Sequence, residues 1–108
     1  MSKLAEQACV PCNTSTPRLG GEDLRRLKAD LSPDWHIVNG ERLEREYKFK
    51  DFREALDFTN KVGEVAESIN HHPDICLGWG SVKLTIWTHS IGGLSTNDFG
   101  LAARVDKL

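Results

Sequence analysis

The clearest pattern in the chain is a stripe of apolar side chains at helical spacing near its middle. Apolar residues recur there every three or four positions, which is the period of one helix face; they are Phe52, Ala55, Phe58, Val62, Val65 and Ile69. Asp51 precedes the stripe as a cap, and Glu54 three residues later completes a capping box. The pattern predicts an amphipathic helix over Phe52–Ile69, in which Gly63 either weakens the helix slightly or lets another element approach closely.

Two shorter helices are predicted nearer the ends. The first runs from about Glu22 to Leu31, because three leucines there fall at i, i+3 and i+7, and the following Ser-Pro pair ends it. The last runs to about Val105. Ser95 is its expected N-cap, and Asp98 stands at N3, where a carboxylate interacts favourably with the helix dipole.

A first hairpin lies between the first two helices. Residues 35–38 predict a strand, and Asn39-Gly40 predicts a tight turn because both residues tolerate positive φ. The returning strand alternates, and one face carries Leu43, Arg45, Tyr47 and Phe49. The other face is charged and expected to meet solvent; it carries Glu44, Glu46 and Lys48. Arg45 is the exception on the apolar face, and we expect it either at the sheet margin or against a partner group.

A second hairpin follows the long helix. Ile75–Trp79 predicts one strand, Gly80-Ser81 the turn, and Val82–His89 the returning strand. The order α-β-β-α-β-β-α predicts an α+β fold, with one four-stranded antiparallel sheet and three helices on one face of it. The opposite sheet face would be half exposed, and Trp87 could serve there as a subunit contact.

Composition narrows the class of protein. The chain has 108 residues, of which 39% are hydrophobic and 28% charged, as in a globular protein with one modest core. A net charge of −2 argues against direct binding of nucleic acid, and no run of about 18 apolar residues suggests a membrane span. Residues 1–18 predict a flexible arm without a signal-peptide core, so we expect one domain over residues 19–108 and a cytoplasmic location.

Three cysteines are an odd number and do not indicate a disulfide framework. Cys9 and Cys12 form a Cys-x-x-Cys motif, but a second ligand pair at zinc-finger spacing is missing. We interpret both as incidental thiols of the arm. Cys76 is expected to pack as a small apolar residue.

The candidate chemistry lies in a cluster of histidines. His71 and His72 follow the long helix, and His89 ends the last predicted strand, so both segments can meet at one end of the sheet. Glu67 in the last helical turn and Asp98 at the final helix start can join them there. Such convergence of titratable groups is typical of an active site, and imidazole exchanges protons near neutral pH.

Other interpretations of these residues remain open. The histidines could be one capping, one surface and one core residue, Glu67 could be a solvated helix residue, and Asp98 is explained as a helix N-terminal residue. His36 lies outside the cluster and is expected to be an ordinary sheet residue. Three histidines with a carboxylate could also hold zinc, although adjacent histidines in an extended turn seldom bind one ion together. The tryptophans Trp35, Trp79 and Trp87 are more simply packing residues, with Trp79 the best candidate to line a pocket.

Several motifs together resemble one known family, that of pterin-4a-carbinolamine dehydratase. The resemblance rests on Glu67-Ser68-Ile69-Asn70-His71-His72-Pro73, Thr88-His89, Gly93-Leu94-Ser95 and Asp98, and upstream on Trp35 and Phe49-x-x-Phe52 followed by Ala55 and Phe58. It covers residues 19–108. It implies the removal of water from 4a-hydroxytetrahydropterin to give quinonoid dihydropterin, which recycles the cofactor of aromatic amino-acid hydroxylation.

The resemblance also implies roles for individual residues. The family's catalytic histidines fall on His71, His72 and His89, and its supporting carboxylates on Glu67 and Asp98. Substrate binding is expected to involve His71, Pro73, Trp79 and Thr88. The family implies no metal and no cofactor, and self-association as a homodimer or homotetramer. Relatives also serve as dimerisation or assembly cofactors, so a non-catalytic role on the same fold is the alternative function.

Chemical reasoning is consistent with this implied activity. Dehydration must protonate the departing 4a-hydroxyl and remove a proton from N5, and imidazole, with an ordinary pKa of about 6.5, suits both steps. Our hypothesis is that His72 and His89 share the proton transfers while His71 binds and orients the pterin. Glu67 and Asp98 would fix tautomers or stabilise an imidazolium.

Overall fold

The protein's structure, a computed structural model, describes residues 19–108. In chain order its helices and strands are α1 (Gly21–Lys28), β1 (His36–Val38), β2 (Arg42–Lys48), α2 (Phe52–Ile69), β3 (Asp74–Gly78), β4 (Ser81–Ile86) and α3 (Thr96–Val105). A short 3₁₀ helix, His89–Ile91, lies between β4 and α3. The predicted α+β element order is confirmed. The arm of residues 1–18, with Cys9 and Cys12, lies outside the described residues.

The four strands form one antiparallel sheet in the order β1-β2-β4-β3. The central pairing of β2 with β4 places Leu43 opposite Ile86, and both side chains are fully buried. They belong to one apolar core that also contains Trp35, Val62 and Phe99, so strands and helices share the same interior. The opposite sheet face carries exposed charged residues, as the alternation predicted; among them are Glu46, Lys48 and Lys83.

Helix α2 has the predicted bounds. The Asp51 carboxylate accepts a hydrogen bond from the backbone N–H of Glu54 at 2.9 Å, which satisfies one free donor of the first turn. The buried face includes Ala55, Val62 and Ala66. Phe52 is 44% exposed, so the apolar stripe reaches the core only from the second turn onward.

Helix α1 ends one turn earlier than predicted. Beyond Lys28, the backbone N–H groups of Asp30 and Leu31 bond to carbonyls three residues back, at 3.1 and 3.0 Å. The chain therefore tightens into a 3₁₀-type turn. Leu31 remains buried at 7% exposure, so the leucine spacing identified the core-facing side chains correctly although it misplaced the helix end.

The last strand also ends earlier than predicted. β4 stops at Ile86 instead of reaching His89, and Thr88 forms only an isolated bridge with Gly93. Gly92 adopts a left-handed conformation with φ of 61°, which lets the chain reverse within a few residues. His89 consequently opens the 3₁₀ helix and does not lie in the sheet.

The second hairpin differs from the prediction in two details. The turn is formed by Trp79 and Gly80, not by Gly80 and Ser81. The Gly80 carbonyl accepts a hydrogen bond from Phe49 N–H at 2.8 Å, which holds the two backbones close together. Glycine suits this position because a Cβ there would lie 2.9 Å from the Phe49 oxygen. Cys76 is exposed on the outer sheet face and does not pack in the core, because the alternation of β3 turns it away from the helices.

Arg45 finds its partner inside the chain. Its strand, β2, lies between β1 and β4 and not at the sheet margin. The guanidinium Nη1 lies 2.9 Å from Oδ1 of Asp106, just beyond α3. Asp106 also accepts from the Trp35 indole N–H at 2.8 Å and from the Ser32 backbone N–H at 2.9 Å. One carboxylate thus ties the C-terminal end of the chain to the segment before β1 and to the sheet.

Candidate active site

A concavity of about 330 Å³ lies where α2 leads into β3. Two segments line it: residues 70–74, which follow α2, and residues 87–90, which follow β4. Asp74 at the start of β3 is paired with Thr85 near the end of β4, so the two segments lie side by side. Each of the three clustered histidines lies in one of these segments and lines the concavity; they are His71, His72 and His89.

The end of α2 positions the histidine pair. Asn70 adopts the left-handed conformation with φ of 51°, and the backbone N–H of His71 bonds to the Ala66 carbonyl at 3.2 Å. This closes the helix in the manner of a left-handed C-cap. Pro73 then favours an extended backbone at His72. The two imidazoles therefore leave the helix on an extended stretch and reach different partners.

His71 is held by a fully buried carboxylate. Its Nε2 lies 2.7 Å from Oδ1 of Asp98, whose side chain is 0% exposed. Because a carboxylate can only accept hydrogen bonds, Nε2 carries the proton and donates it, which leaves Nδ1 as the acceptor of the ring. Asp98 thus fixes both the tautomer and the orientation of His71.

Asp98 is itself surrounded by donors. Its Oδ2 accepts from the Thr88 hydroxyl at 2.7 Å and from the Ser95 backbone N–H at 2.8 Å. The second contact belongs to the capping box of α3. Buried charge is tolerated when it is paired in this way. The two interpretations of Asp98 are therefore compatible, because one carboxylate caps α3 and contacts His71.

His72 is held near the surface. Its Nε2 lies 2.5 Å from Oε2 of Glu67, which is in the last turn of α2. The two side chains are 51% and 78% exposed. Water competes for both partners, so this contact restrains the ring less firmly than Asp98 restrains His71.

His89 reaches the concavity from the 3₁₀ helix. Within residues 19–108, its ring makes neither a hydrogen bond nor an ion pair. Its centroid lies 4.1 Å from the Trp87 ring, with an interplanar angle of 34°. The third imidazole is therefore held by an aromatic contact.

The predicted substrate-binding residues divide into two groups. Pro73 and Thr88 line the concavity with His71, but the Thr88 side chain is buried and its hydroxyl is directed to Asp98. Trp79 does not line it: this residue is 71% exposed at the opposite end of β3. The strand extends 3.3 Å per residue, so its five residues separate Trp79 from the histidine pair by roughly 16 Å. For this reason the structure does not bring Trp79 to the concavity with the histidines.

Trp87 also lines the concavity, a position that the sequence did not predict. In the sequence it was interpreted as a packing residue that could serve as a subunit contact on the open sheet face, and the structure places it in the lining of the concavity beside His89. The alternation of the predicted strand put Trp87 and His89 on the same side, but it could not place them at the concavity, because β4 ends at Ile86.

The described residues contain no preformed metal-binding site. No group of three or more His, Cys, Asp and Glu side chains converges there as metal ligands would. Nε2 of His71 and Nε2 of His72 each contact a different carboxylate.

Comparison with known proteins identifies the family. The model of the family described as "Pterin 4 alpha carbinolamine dehydratase" matches residues 17–108, most of the chain. The protein belongs to the pterin-4a-carbinolamine dehydratase family. A relative from Rubrobacter xylanophilus is 55% identical over 108 residues, covering 100% of both chains. One from Alkaliphilus metalliredigens is 50% identical over 107 residues, covering 99% of this chain and 96% of its own. Both carry the name "Putative pterin-4-alpha-carbinolamine dehydratase".

Solved structures share the family's fold. The crystal structure of a transcriptional coactivator/pterin dehydratase from Brucella melitensis matches with a TM-score of 0.77 and 29% identity, covering 84% of this chain and 97% of its own. A pterin dehydratase-like RuBisCO assembly factor of the alpha-carboxysome matches with a TM-score of 0.58 and 22% identity, covering 68% of this chain and 87% of its own. The second likeness concerns the fold alone. Among residues 19–108 of the present protein, no helix has the length and apolar content to cross a membrane.

Proposed function

We propose that the protein dehydrates 4a-hydroxytetrahydropterin to quinonoid dihydropterin. The observation that carries the proposal is the placement of three imidazoles around one concavity, two of them in contact with carboxylates. Family membership supports the same reaction. The concavity, at about 330 Å³, lies at the lower end of the range of roughly 300–1,000 Å³ for small-molecule pockets and suits a bicyclic ring that remains partly exposed.

The proposed reaction needs two proton transfers. An imidazolium protonates the 4a-hydroxyl, the bond from C4a to that oxygen breaks, and water leaves. A neutral imidazole takes the proton from N5, and the electron pair of the N–H bond forms the new double bond between N5 and C4a. General acid–base catalysis of this kind contributes about 10²–10⁴-fold to a rate. Atoms and electrons balance without an oxidant or a reductant.

The contacts of the histidines refine the division of labour. His71 has the best-defined tautomer, with Nδ1 as its acceptor, so we extend a proton-transfer role to it beyond the orienting role expected from the sequence. His89 is the natural second proton carrier, because it reaches the concavity from the other segment. His72 and Glu67 lie at the more exposed rim, where they can bind the pterin as well as relay protons to water.

The experiment that tests this function is a dehydratase assay on purified protein, with and without a chelator. We expect turnover of a carbinolamine pterin, unchanged by the chelator, because the proposed acid and base are side chains of the protein. Loss of turnover with the chelator and recovery with zinc would contradict the metal-free mechanism.

A non-catalytic role as a dimerisation or assembly cofactor is the second candidate. It is favoured by the Brucella melitensis structure, which is described as both a transcriptional coactivator and a pterin dehydratase. A protein with that role alone would have no need of the His71–Asp98 contact at the concavity. Absence of turnover in a folded, purified preparation would favour assembly over catalysis.

We further propose that the chain self-associates as a homodimer or homotetramer. Two surfaces support this: β3 pairs with β4 along only one of its edges in the described sheet, and α2 exposes Phe52 and Leu56 at 44% and 36%. Light scattering coupled to size exclusion should give a mass at least twice that of the 12.1 kDa chain. A monomer at micromolar concentration would contradict the proposal.

A further inference from the structure

The three histidines of the concavity are held by different kinds of group. His71 contacts the buried Asp98, and His72 contacts the exposed Glu67. His89 is exposed on a short 3₁₀ helix, and among the described residues no carboxylate contacts its ring. An exposed imidazole without a partner would sample several rotamers, and proton transfer requires one of them.

The contact that restrains His89 is its stack on Trp87. The two ring centroids lie 4.1 Å apart with an angle of 34° between the planes. This is closer than the roughly 4.5–7 Å typical of aromatic pairs, so the two rings are in direct contact. Trp87 and His89 both line the concavity. The indole is therefore placed to fix the direction in which the imidazole meets a bound molecule.

Trp87 is fixed in turn by two further groups. Its indole N–H donates to Oδ2 of Asp74 at 3.3 Å, which ties it to the first residue of β3. The guanidinium carbon of Arg42, the first residue of β2, lies 4.5 Å from the Trp87 ring centroid, as in a cation–π contact. The ring is thus anchored to both strands that flank β4.

We infer that Trp87 is a positioning residue, which holds the His89 imidazole over the concavity in the manner that carboxylates hold His71 and His72. The inference rests on the proposed function for its catalytic meaning. A role for Trp87 as a stacking surface for the pterin fits less well, because His89 and Arg42 already contact its ring.

The first test is spectroscopic and does not depend on activity. In a ¹H–¹³C spectrum of the four histidine rings, His89→Ala assigns the signal of His89. The indole ring current should shift that signal upfield in the unchanged protein. Trp87→Ala should move the His89 signal back towards that of a free imidazole and leave the His71 signal in place, because His71 is held by Asp98.

The second test is kinetic. Trp87→Ala should lower kcat by roughly 10- to 100-fold with little change in KM, because a misdirected catalytic group affects the reaction step more than binding. Trp87→Phe retains a flat ring and should recover most of the rate. Trp79→Ala is the matched control, since this tryptophan lies at the far end of β3, and it should leave both kcat and the His89 signal unchanged.

Three results would overturn the inference. They are an unmoved His89 signal in Trp87→Ala, equal movement of the His71 and His89 signals, and a loss of kcat that Trp87→Phe does not recover. Absence of dehydratase activity in the unchanged protein would contradict the proposed function instead. In that case the ring signals would still decide whether Trp87 positions His89.

Discussion

The carboxylates that contact His71 and His72 differ most in their exposure to water. Asp98 is fully buried and accepts from a hydroxyl and a backbone N–H in addition to His71, whereas Glu67 is 78% exposed. Electrostatic interactions are stronger where water is excluded, and exposed pairs contribute little. The two carboxylates therefore have similar partners but should have unequal importance.

The first prediction compares the two carboxylates. Asp98→Asn should lower kcat by roughly 10²-fold, because the amide no longer orients and stabilises a protonated His71 as a carboxylate does. Its folded state should lose about 1–3 kcal/mol, since donors that faced Oδ2 lose a charged acceptor. Glu67→Gln should cost less than roughly tenfold in kcat and little stability. Steady-state kinetics and urea unfolding of both variants measure these effects, and equal losses in the two would refute the ranking.

The chain's single tyrosine gives a prediction for high pH. Burial raises the pKa of Tyr47 well above its ordinary value of about 10, and the nearby Arg45 guanidinium only partly opposes this. Because the folded pKa is the higher one, the resulting stability is complete below about pH 10 and is lost as pH rises towards the folded value. Tyrosinate absorbance at high pH should therefore appear together with loss of near-ultraviolet circular dichroism. Ionisation near pH 10 in a protein that stays folded would contradict this burial.

The sequence predicted which histidines come together better than it predicted the contacts that each of them makes. His71, His72 and His89 were predicted to meet, and they line one concavity because β3 and β4 pair in antiparallel register. Trp79 lies away from the concavity because the length of β3 separates it from the histidine pair, although both are near in the sequence. The stack of Trp87 on His89 depends on where β4 ends, which its side-chain alternation does not reveal.

At the scale of elements, capping residues next to α2 in the sequence determine where that helix begins and ends. Other features of the fold depend on contacts that the local sequence pattern does not indicate. Asp51 and Asn70 close the two ends of α2 through bonds to neighbours in sequence, so its bounds could be predicted. β4 ends early because Gly92 turns the chain back and Thr88 bridges to Gly93. The contact of Arg45 with Asp106 joins residues 61 positions apart, and no local pattern indicates it.

The Asp106 contacts give a prediction at this scale. Asp106→Ala removes the acceptor shared by Arg45, Trp35 and Ser32, and should destabilise the fold by about 3 kcal/mol, because a largely buried guanidinium is left without its closest acceptor. Asp57→Ala is the matched control: it removes the same charge from an exposed position of α2 and should change stability by less than about 0.5 kcal/mol. Denaturant unfolding compares the two, and equal midpoints would show that the Asp106 contacts do not stabilise the fold.

For the molecule as a whole, the sheet brings the site together and the helices complete it. α2 delivers the histidine pair, the segment after β4 delivers His89, and α3 delivers Asp98. These segments lie far apart in the sequence and meet only once the core of strands and helices has formed. Catalysis should therefore be lost together with global unfolding, and not before it.

The most direct measurement of the central claim is the rate of carbinolamine dehydration by His89→Ala beside His36→Ala. His36 is an exposed residue of β1 outside the concavity and serves as the matched histidine. We predict that His89→Ala loses about 10²–10⁴-fold in kcat, the usual contribution of an acid or base, while His36→Ala keeps the full rate. Full activity in His89→Ala would show that the imidazole from the second segment takes no part, and would contradict a shared three-histidine site.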